Sequence, residues 1–437
     1  MKKGLFVLST MLILMSGLTG APEDKKITGW SWGGVPAIAY NSDTGFLYGI
    51  ILNPFNYGDG SMYPDYLYSI YMEWSRTTKG SGINKLFFDS KYLLPAGIRV
   101  TGELSYLTEQ ALPFYGFNGY ETEYHPEYED DQDPGYITRV YYRHMRNQFK
   151  LTADFQKQVF NPHLRAIVGL GFLNNEIGPV DVATLNKGKD AADQLPVYSD
   201  PDSIGLYSSY VAKGFISSAE EKGGRVNYLK LGAVYDTRDN EANPMSGMWT
   251  EALLLTAPAF LGSDFSYTEL TITHRQYFTL IPRDLSFAYR LGYQAVIGGE
   301  IPFFMLPYYQ SSYQTQEGFG GSKTFRGILK NRVVGNSVAL FNAELRWKFF
   351  RTVVFGQNLY LALNAFVDGG QTLSQYGNQT YLNSLGSAAK QDALHLSYGG
   401  GFRIALNENF IIAVDYGLAA DPQDGTSGLY IGLGYLY

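Results

Sequence analysis

Period-two alternation of apolar and polar side chains, renewed along nearly the whole chain, limits the possible folds more than any other feature. Across residues 285–297, Leu285, Phe287, Tyr289, Leu291, Tyr293, Ala295 and Ile297 fall on one face of an extended strand. Ser286, Ala288, Arg290, Gly292 and Gln294 fall on the other. Residues 337–349 are as regular, with Ala339, Phe341, Ala343, Leu345, Trp347 and Phe349 opposite Asn342, Glu344, Arg346 and Lys348. A face that carries Arg and Lys at such intervals needs a polar enclosure, whereas the other face needs an apolar surround. A transmembrane β-barrel meets both needs at once.

Composition agrees. Charged residues make up 17% of the chain, against about 25% in an ordinary soluble protein. The 36 tyrosines, 27 phenylalanines and 49 glycines suit aromatic girdles and tight turns. The net charge of −7 argues against a nucleic-acid surface. The N-terminus reads as a secretory signal peptide over 1–21: Lys2 and Lys3, then an apolar run from Leu5 to Met15, then Thr19-Gly20-Ala21. No cysteine follows it, so neither a lipoprotein anchor nor a disulfide framework is expected.

Sixteen alternating segments are expected, the first over 34–41 and the last over 428–437, closing an antiparallel barrel over 22–437. All four long connections, near 107–137, 176–224, 299–336 and 369–393, then fall at odd-numbered junctions. That parity is the one expected of short periplasmic turns and long external loops. Only about a dozen residues separate the expected cleavage site from the first strand, so no folded periplasmic module is expected.

The connection over 299–336 stands apart. It contains Gly318-Phe319-Gly320-Gly321-Ser322-Lys323-Thr324-Phe325-Arg326-Gly327-Ile328, a single arginine among glycines and aromatics. A loop this long is uncommon unless functional. Alternation points Glu344 and Asp368 into the polar interior from adjacent strands. An inward-folding Arg326 would meet both carboxylates in a partly desolvated place. The alternative is that all three are solvated residues of a wide pore.

Several motifs give the sequence a resemblance. It is similar to the barrel domain of the bacterial surface antigen superfamily, the outer-membrane assembly and translocation factors of the BamA/TamA type. Thr324-Phe325-Arg326-Gly327-Ile328 is similar to the family's V-R-G-F/Y loop signature, with Phe325 in place of valine and Ile328 in place of the aromatic. Asp236-Thr237-Arg238-Asp239, then Asn243-Pro244-Met245-Ser246-Gly247, is close to the family's D-T-R-D…N-P…G turn. Asn342-Ala343-Glu344-Leu345-Arg346 and Phe366-Val367-Asp368-Gly369-Gly370 resemble the segments that carry acidic partners for the loop arginine. Pro113-Phe114-Tyr115-Gly116-Phe117 adds a weaker likeness.

The resemblance implies a loop latch of Arg326, Gly327, Glu344 and Asp368. By the turn chemistry of their own residues, Asp236, Arg238, Asp239, Pro244 and Gly247 read as a structural turn. In the family the seam between first and last strands is a lateral gate. Here the first strand holds Gly33, Gly34 and Pro36 and the last holds Gly432 and Leu433, so few ladder bonds are expected between them; a frayed edge strand is the alternative. Tyr430, Gly432, Tyr435 and Tyr437 resemble the terminal-strand signal of outer-membrane barrels, with Leu429, Ile431, Leu433, Tyr435 and Tyr437 placed on the lipid face.

No chemistry-bearing constellation emerges. Glu127-Tyr128-Glu129-Asp130-Asp131-Gln132-Asp133 lacks a calcium-loop spacing and reads as solvated loop. His125, His144, His163, His274 and His395 are scattered, with His274 and His395 taken as mid-strand polar residues of the interior. No metal, cofactor or catalytic residue is expected. The favoured function is insertion or translocation of client outer-membrane or secreted proteins, or lipid, by seam opening, with outer-membrane lipid and a separate periplasmic or lipoprotein partner. A passive or gated pore is the first alternative, and a barrel enzyme the second.

Overall fold

The computed structural model describes residues 25–41, 45–385 and 392–437; the expected signal peptide over 1–21 lies outside them. Among the described residues, sixteen strands form one antiparallel sheet in chain order. They are β1 (Trp30–Asn41), β2 (Gly45–Asn56), β3 (Tyr68–Thr77), β4 (Gly82–Leu94), β5 (Ile98–Pro113), β6 (Arg143–Gln158), β7 (Leu164–Gly178) and β8 (Gly223–Asp236). There follow β9 (Gly247–Ala257), β10 (Tyr267–Ile281), β11 (Leu285–Gly299), β14 (Ser337–Val354), β15 (Gln357–Ser374), β16 (His395–Leu406), β17 (Phe410–Ala419) and β18 (Ser427–Leu433). The two-residue pair β12 (Tyr308–Tyr309) and β13 (Gln316–Glu317) lies within the connection between β11 and β14. No helix among the described residues is long and apolar enough to cross a membrane.

Alternation decides which face is which. On β14, Leu345, Trp347 and Phe349 are exposed while Asn342, Glu344 and Arg346 are buried; on β6, Phe149, Leu151 and Phe155 are exposed while Arg146, Gln148, Lys150 and Asp154 are buried. Apolar outside and charged inside inverts the soluble pattern and matches a sheet solvated by lipid. Several of the buried charges are paired, among them Arg275 with Glu251 at 3.0 Å and Lys230 with Asp154 at 2.8 Å. Burial without a partner would cost each ion roughly several kcal/mol.

The four longest connections, 114–142, 179–222, 300–336 and 375–394, all lie at one end of the sheet, while 159–163, 282–284, 355–356 and 407–409 close the other. The long ones pack together through Phe114, Phe117, Tyr207, Tyr210, Phe303 and Tyr381 into one aromatic cap. The connection 300–336 lies across the polar face. Ser312 N donates to Glu251 of β9 at 2.9 Å, its carbonyl accepts from Gln156 of β6 at 2.7 Å, and Tyr313 packs on Phe87 of β4 at 5.2 Å.

The turn between β16 and β17 contacts the β1–β2 end of the sheet. Asn409, in the turn before β17, donates to Tyr57 just after β2 at 2.9 Å, and Asn407 donates to Ser31 of β1 at 2.9 Å. A Cβ on Gly33 would lie 2.2 Å from the Phe410 ring, so only glycine lets β1 approach β17 this closely. Yet no ladder joins β1 to β18 among the described residues.

Three expectations need correction. The last strand ends at Leu433, not Tyr437. Leu429 and Ile431 are 66% and 74% exposed, but Tyr437 is only 8% exposed. After Gly434 (φ +85°) the chain turns onto the polar face, where the Tyr437 hydroxyl donates to the Ala288 carbonyl of β11 at 3.1 Å. Arg346 explains the turn: its guanidinium donates to the Tyr437 carbonyl at 2.9 Å and stacks near Tyr435 and Tyr437 at 4.4 and 5.0 Å. His274 lies on the outer face, bonded to Thr250 at 2.7 Å. His395 opens β16 and is not mid-strand.

Candidate functional site

The segment around Arg326 is a compact knot of backbone. Gly318, Gly320, Gly321 and Gly327 all have φ between +79° and +108°. Gly320 leaves no choice of residue, since a Cβ there would sit 1.9 Å from the Leu329 carbonyl oxygen. Thr324 closes the knot, accepting from Gly320 N at 2.8 Å and donating to the Gly318 carbonyl at 2.6 Å. Phe325 is fully buried against Gly370, where an added Cβ would meet its ring at 2.3 Å. Gly370 therefore makes the room that a phenylalanine at this position requires.

Arg326 is completely buried. Its Nε and Nη2 donate to the two oxygens of Asp368 at 2.8 and 3.0 Å, and its backbone N–H adds a third bond at 3.1 Å. Nη1 lies 2.6 Å from Glu344 and 3.4 Å from Asp415. The guanidinium carbon stands 3.6 Å from the centroid of the Phe366 ring. Each carboxylate has a second partner: Asn342 donates to Asp368 at 2.8 Å, Arg346 to Glu344 at 2.7 Å, and Arg403 to Asp415 at 2.9 Å. Three arginines thus face three carboxylates, and this buried set carries no net charge. Fork-on-fork pairing in so dry a place fixes the arginine in orientation as well as position.

Gly327 continues the docking. A Cβ on it would lie 2.8 Å from the Gly417 backbone, and one on Gly417 would lie 2.6 Å from the Arg326 backbone. Two glycines thus allow the connection to touch β17 directly. Gly327 N donates to the Tyr430 hydroxyl of β18 at 3.0 Å. The knot is tied to β14, β15, β17 and β18 together.

The turn after β8 is a second closed unit. Arg238 donates to both oxygens of Asp236 at 2.9 and 2.8 Å, and stacks on Trp249 at 4.2 Å. Asp239 accepts from Met245 N and Ser246 N at 3.0 and 3.2 Å. Pro244 is buried. A Cβ on Gly247 (φ +93°) would lie 2.2 Å from the Thr237 carbonyl oxygen.

Sequence reasoning missed Asp415, Arg403 and Glu241. Glu241 pairs with Arg99 at 3.0 Å, Lys91 at 3.1 Å and Arg165 at 3.8 Å. Burial disfavours its charge, but Arg99, Lys91, Arg238 and Arg165 outweigh that and hold its carboxyl well below the usual range. Nothing local marks it, because its partners come from distant strands. Asp415 did carry a signal, since alternation along β17 puts it on the polar face.

At the seam, Gly33, Gly34 and Pro36 pair with Asn53, Leu52 and Ile50 of β2, and Gly432 and Leu433 pair with Ala413 and Ile412 of β17. The structure does not bring these two sets into a ladder. Of the residues read as a terminal-strand signal, Tyr430 binds the connection, while Tyr435 stacks at 4.4 Å on Arg346 and at 5.3 Å on Arg403.

Residues 70–436 match the Omp85 superfamily domain. The chain belongs to the Omp85 superfamily. Among solved structures this Omp85 chain is similar to BamA from Haemophilus ducreyi lacking POTRA domains 1–3, at 14% identity and a TM-score of 0.51, over 93% of this chain and 70% of that one. It is also similar to CdiB from Escherichia coli, at 11% identity and a TM-score of 0.55, over 96% of this chain and 64% of that one. At such identities the likeness is one of fold. No curated protein matches the chain.

Proposed function

We propose that the sheet closes as a sixteen-stranded barrel in the bacterial outer membrane. In this reading the connection 300–336 lies in its lumen, latched by Arg326. The protein inserts client proteins into that membrane, or moves secreted proteins or lipid across it, by opening the seam between β1 and β18. The observation that carries this reading is the state of the two edges. Among the described residues every other neighbouring pair of strands is joined by a ladder, but β1 and β18 are not, and β18 is cut short where the chain turns inward at Gly434.

Closure is supported by the contacts of 300–336 with strands from β4 to β18 on one face, and by the meeting of the β1–β2 end with the start of β15 and the turn before β17. The unpaired edge groups must find partners in lipid, and a client strand supplies them by ladder addition. Membership of the Omp85 superfamily supports handling of outer-membrane or secreted proteins. A passive pore fits poorly, because the connection 300–336 lies against the polar face and the aromatic cap lies over its outer end. Outer-membrane lipid, client proteins and a separate periplasmic or lipoprotein partner are the implied associates. The mechanism is non-covalent, with no enzyme chemistry, metal or cofactor.

Depletion of the protein followed by quantitative proteomics of the outer membrane and medium tests the function. Loss of other barrels or of secreted proteins is expected. Unchanged levels of both would refute protein handling.

A further inference from the structure

At the outer end of the sheet, four connections converge on one histidine. His395 is fully buried. Its Nδ1 lies 2.6 Å from Asp424 Oδ1, in the connection between β17 and β18, and its Nε2 lies 3.0 Å from Asp392 Oδ1, in the connection between β15 and β16. Tyr120, from the connection between β5 and β6, stacks on the imidazole with centroids 3.9 Å apart and donates its hydroxyl to Asp424 at 2.6 Å. Arg332, from the connection between β11 and β14, lies 3.8 Å from Asp424 and donates to the Gly119 carbonyl at 2.8 Å.

Hydrogen-bond accounting favours the doubly protonated ring. Asp392 also accepts from Tyr120 N at 2.8 Å and from Thr372 N and Oγ1 at 2.9 and 2.7 Å. Burial disfavours its charge, but the bonds from His395, Tyr120 and Thr372 leave it below the usual carboxylate range. Ionised carboxylates only accept, so with Asp392 and Asp424 both ionised each ring nitrogen of His395 donates and the ring is an imidazolium. The charged groups facing it are Asp392, Asp424 and Arg332, with Tyr120 as the remaining titratable one and neutral Thr372 on β15. Two cations balance two anions. Loss of one proton leaves a buried negative charge and turns a nitrogen lone pair toward a carboxylate about 3 Å away, which is costly in a dry site.

We propose that this cluster is a pH-responsive clasp of the external cap: with His395 doubly protonated it ties the four connections together, and deprotonation releases them. The sign follows from which form the two carboxylates favour. They bind the cation, so the clasp holds at low pH and loosens as pH rises. It acts on the cap and is independent of the Arg326 knot.

The chain has no native cysteine, so spin labels at Glu123→Cys and Thr426→Cys report the distance between two of the clasped connections. The measurement is made by pulsed electron resonance on the full-length protein in liposomes. A narrow distribution at pH 5.5 is expected to broaden and lengthen by pH 9.5. His395→Gln should give one distribution at both values. Asp392→Asn removes one of the two anions and should move the midpoint down by about one pH unit or more. An unchanged wild-type distribution across this range would overturn the clasp. So would a wild-type response retained in His395→Gln, or an unmoved midpoint in Asp392→Asn. Heat-modifiable gel mobility verifies that each variant is folded, and Asp392→Asn carries the test if His395→Gln is not.

Discussion

Replacing Arg326 by alanine removes one cation from a buried set in which three arginines face three carboxylates. Glu344 keeps Arg346 at 2.7 Å and Asp415 keeps Arg403 at 2.9 Å, so the loss falls mainly on Asp368. Asp368 retains the Asn342 amide and the backbone N–H of residue 326, which are neutral donors. Removing one partner of a buried ion pair costs about 3–5 kcal/mol, and the surviving arginines put this case near about 3 kcal/mol. Since about 1.4 kcal/mol is a factor of ten, the population of undocked knot should rise roughly a hundredfold. Protease cleavage within 318–330, followed by mass spectrometry on intact cells, should accelerate by that factor. Arg326→Lys keeps the charge but not the fork, so it should fall between wild type and alanine. Adding Asp368→Asn to Arg326→Ala removes the orphaned charge and should recover part of the loss. Cleavage of Arg326→Ala at a rate within threefold of wild type would refute the latch.

Two further outcomes follow from the geometry. Gly417→Ala places a Cβ 2.6 Å from the Arg326 backbone and should release the knot as Arg326→Ala does, read by the same cleavage. Glu241→Gln should destabilise the protein to denaturant in detergent at pH 7. The sign is that of a carboxyl depressed on folding, whose contribution is complete above its unfolded value and is lost as pH falls. The gap to wild type should therefore shrink below about pH 4.5, and a gap equal at pH 7 and pH 3 would contradict the pairing.

The strands were legible because one rule, alternation between lipid and a polar interior, governs each of them. The first strand ends at Asn41, where the sequence reading ends it, and the four long connections share one end of the sheet. What the pattern could not carry was anything decided by residues remote in sequence. Tyr435 and Tyr437 suit a lipid girdle and a pair of arginines equally well, and only the aim of Arg346 and Arg403 separates the two. The connection before β16 is shorter than expected because Gly369 and Gly370 continue β15 to Ser374. The Phe325 ring takes the space beside Gly370. His395 was read as routine because its two carboxylates are supplied by separate connections. Glu241 was invisible for the same reason, with partners on three other strands or turns.

The central claim is that the edges of β1 and β18 part during function, and a disulfide across them tests it most directly. One cysteine in β1 and one beside Leu433, in a chain with no other cysteine, can be oxidised after the barrel has folded. The account predicts that the oxidised protein stays folded in liposomes but no longer accelerates insertion of a client barrel, and that reduction restores the rate. Full insertion activity with the seam covalently closed would contradict it.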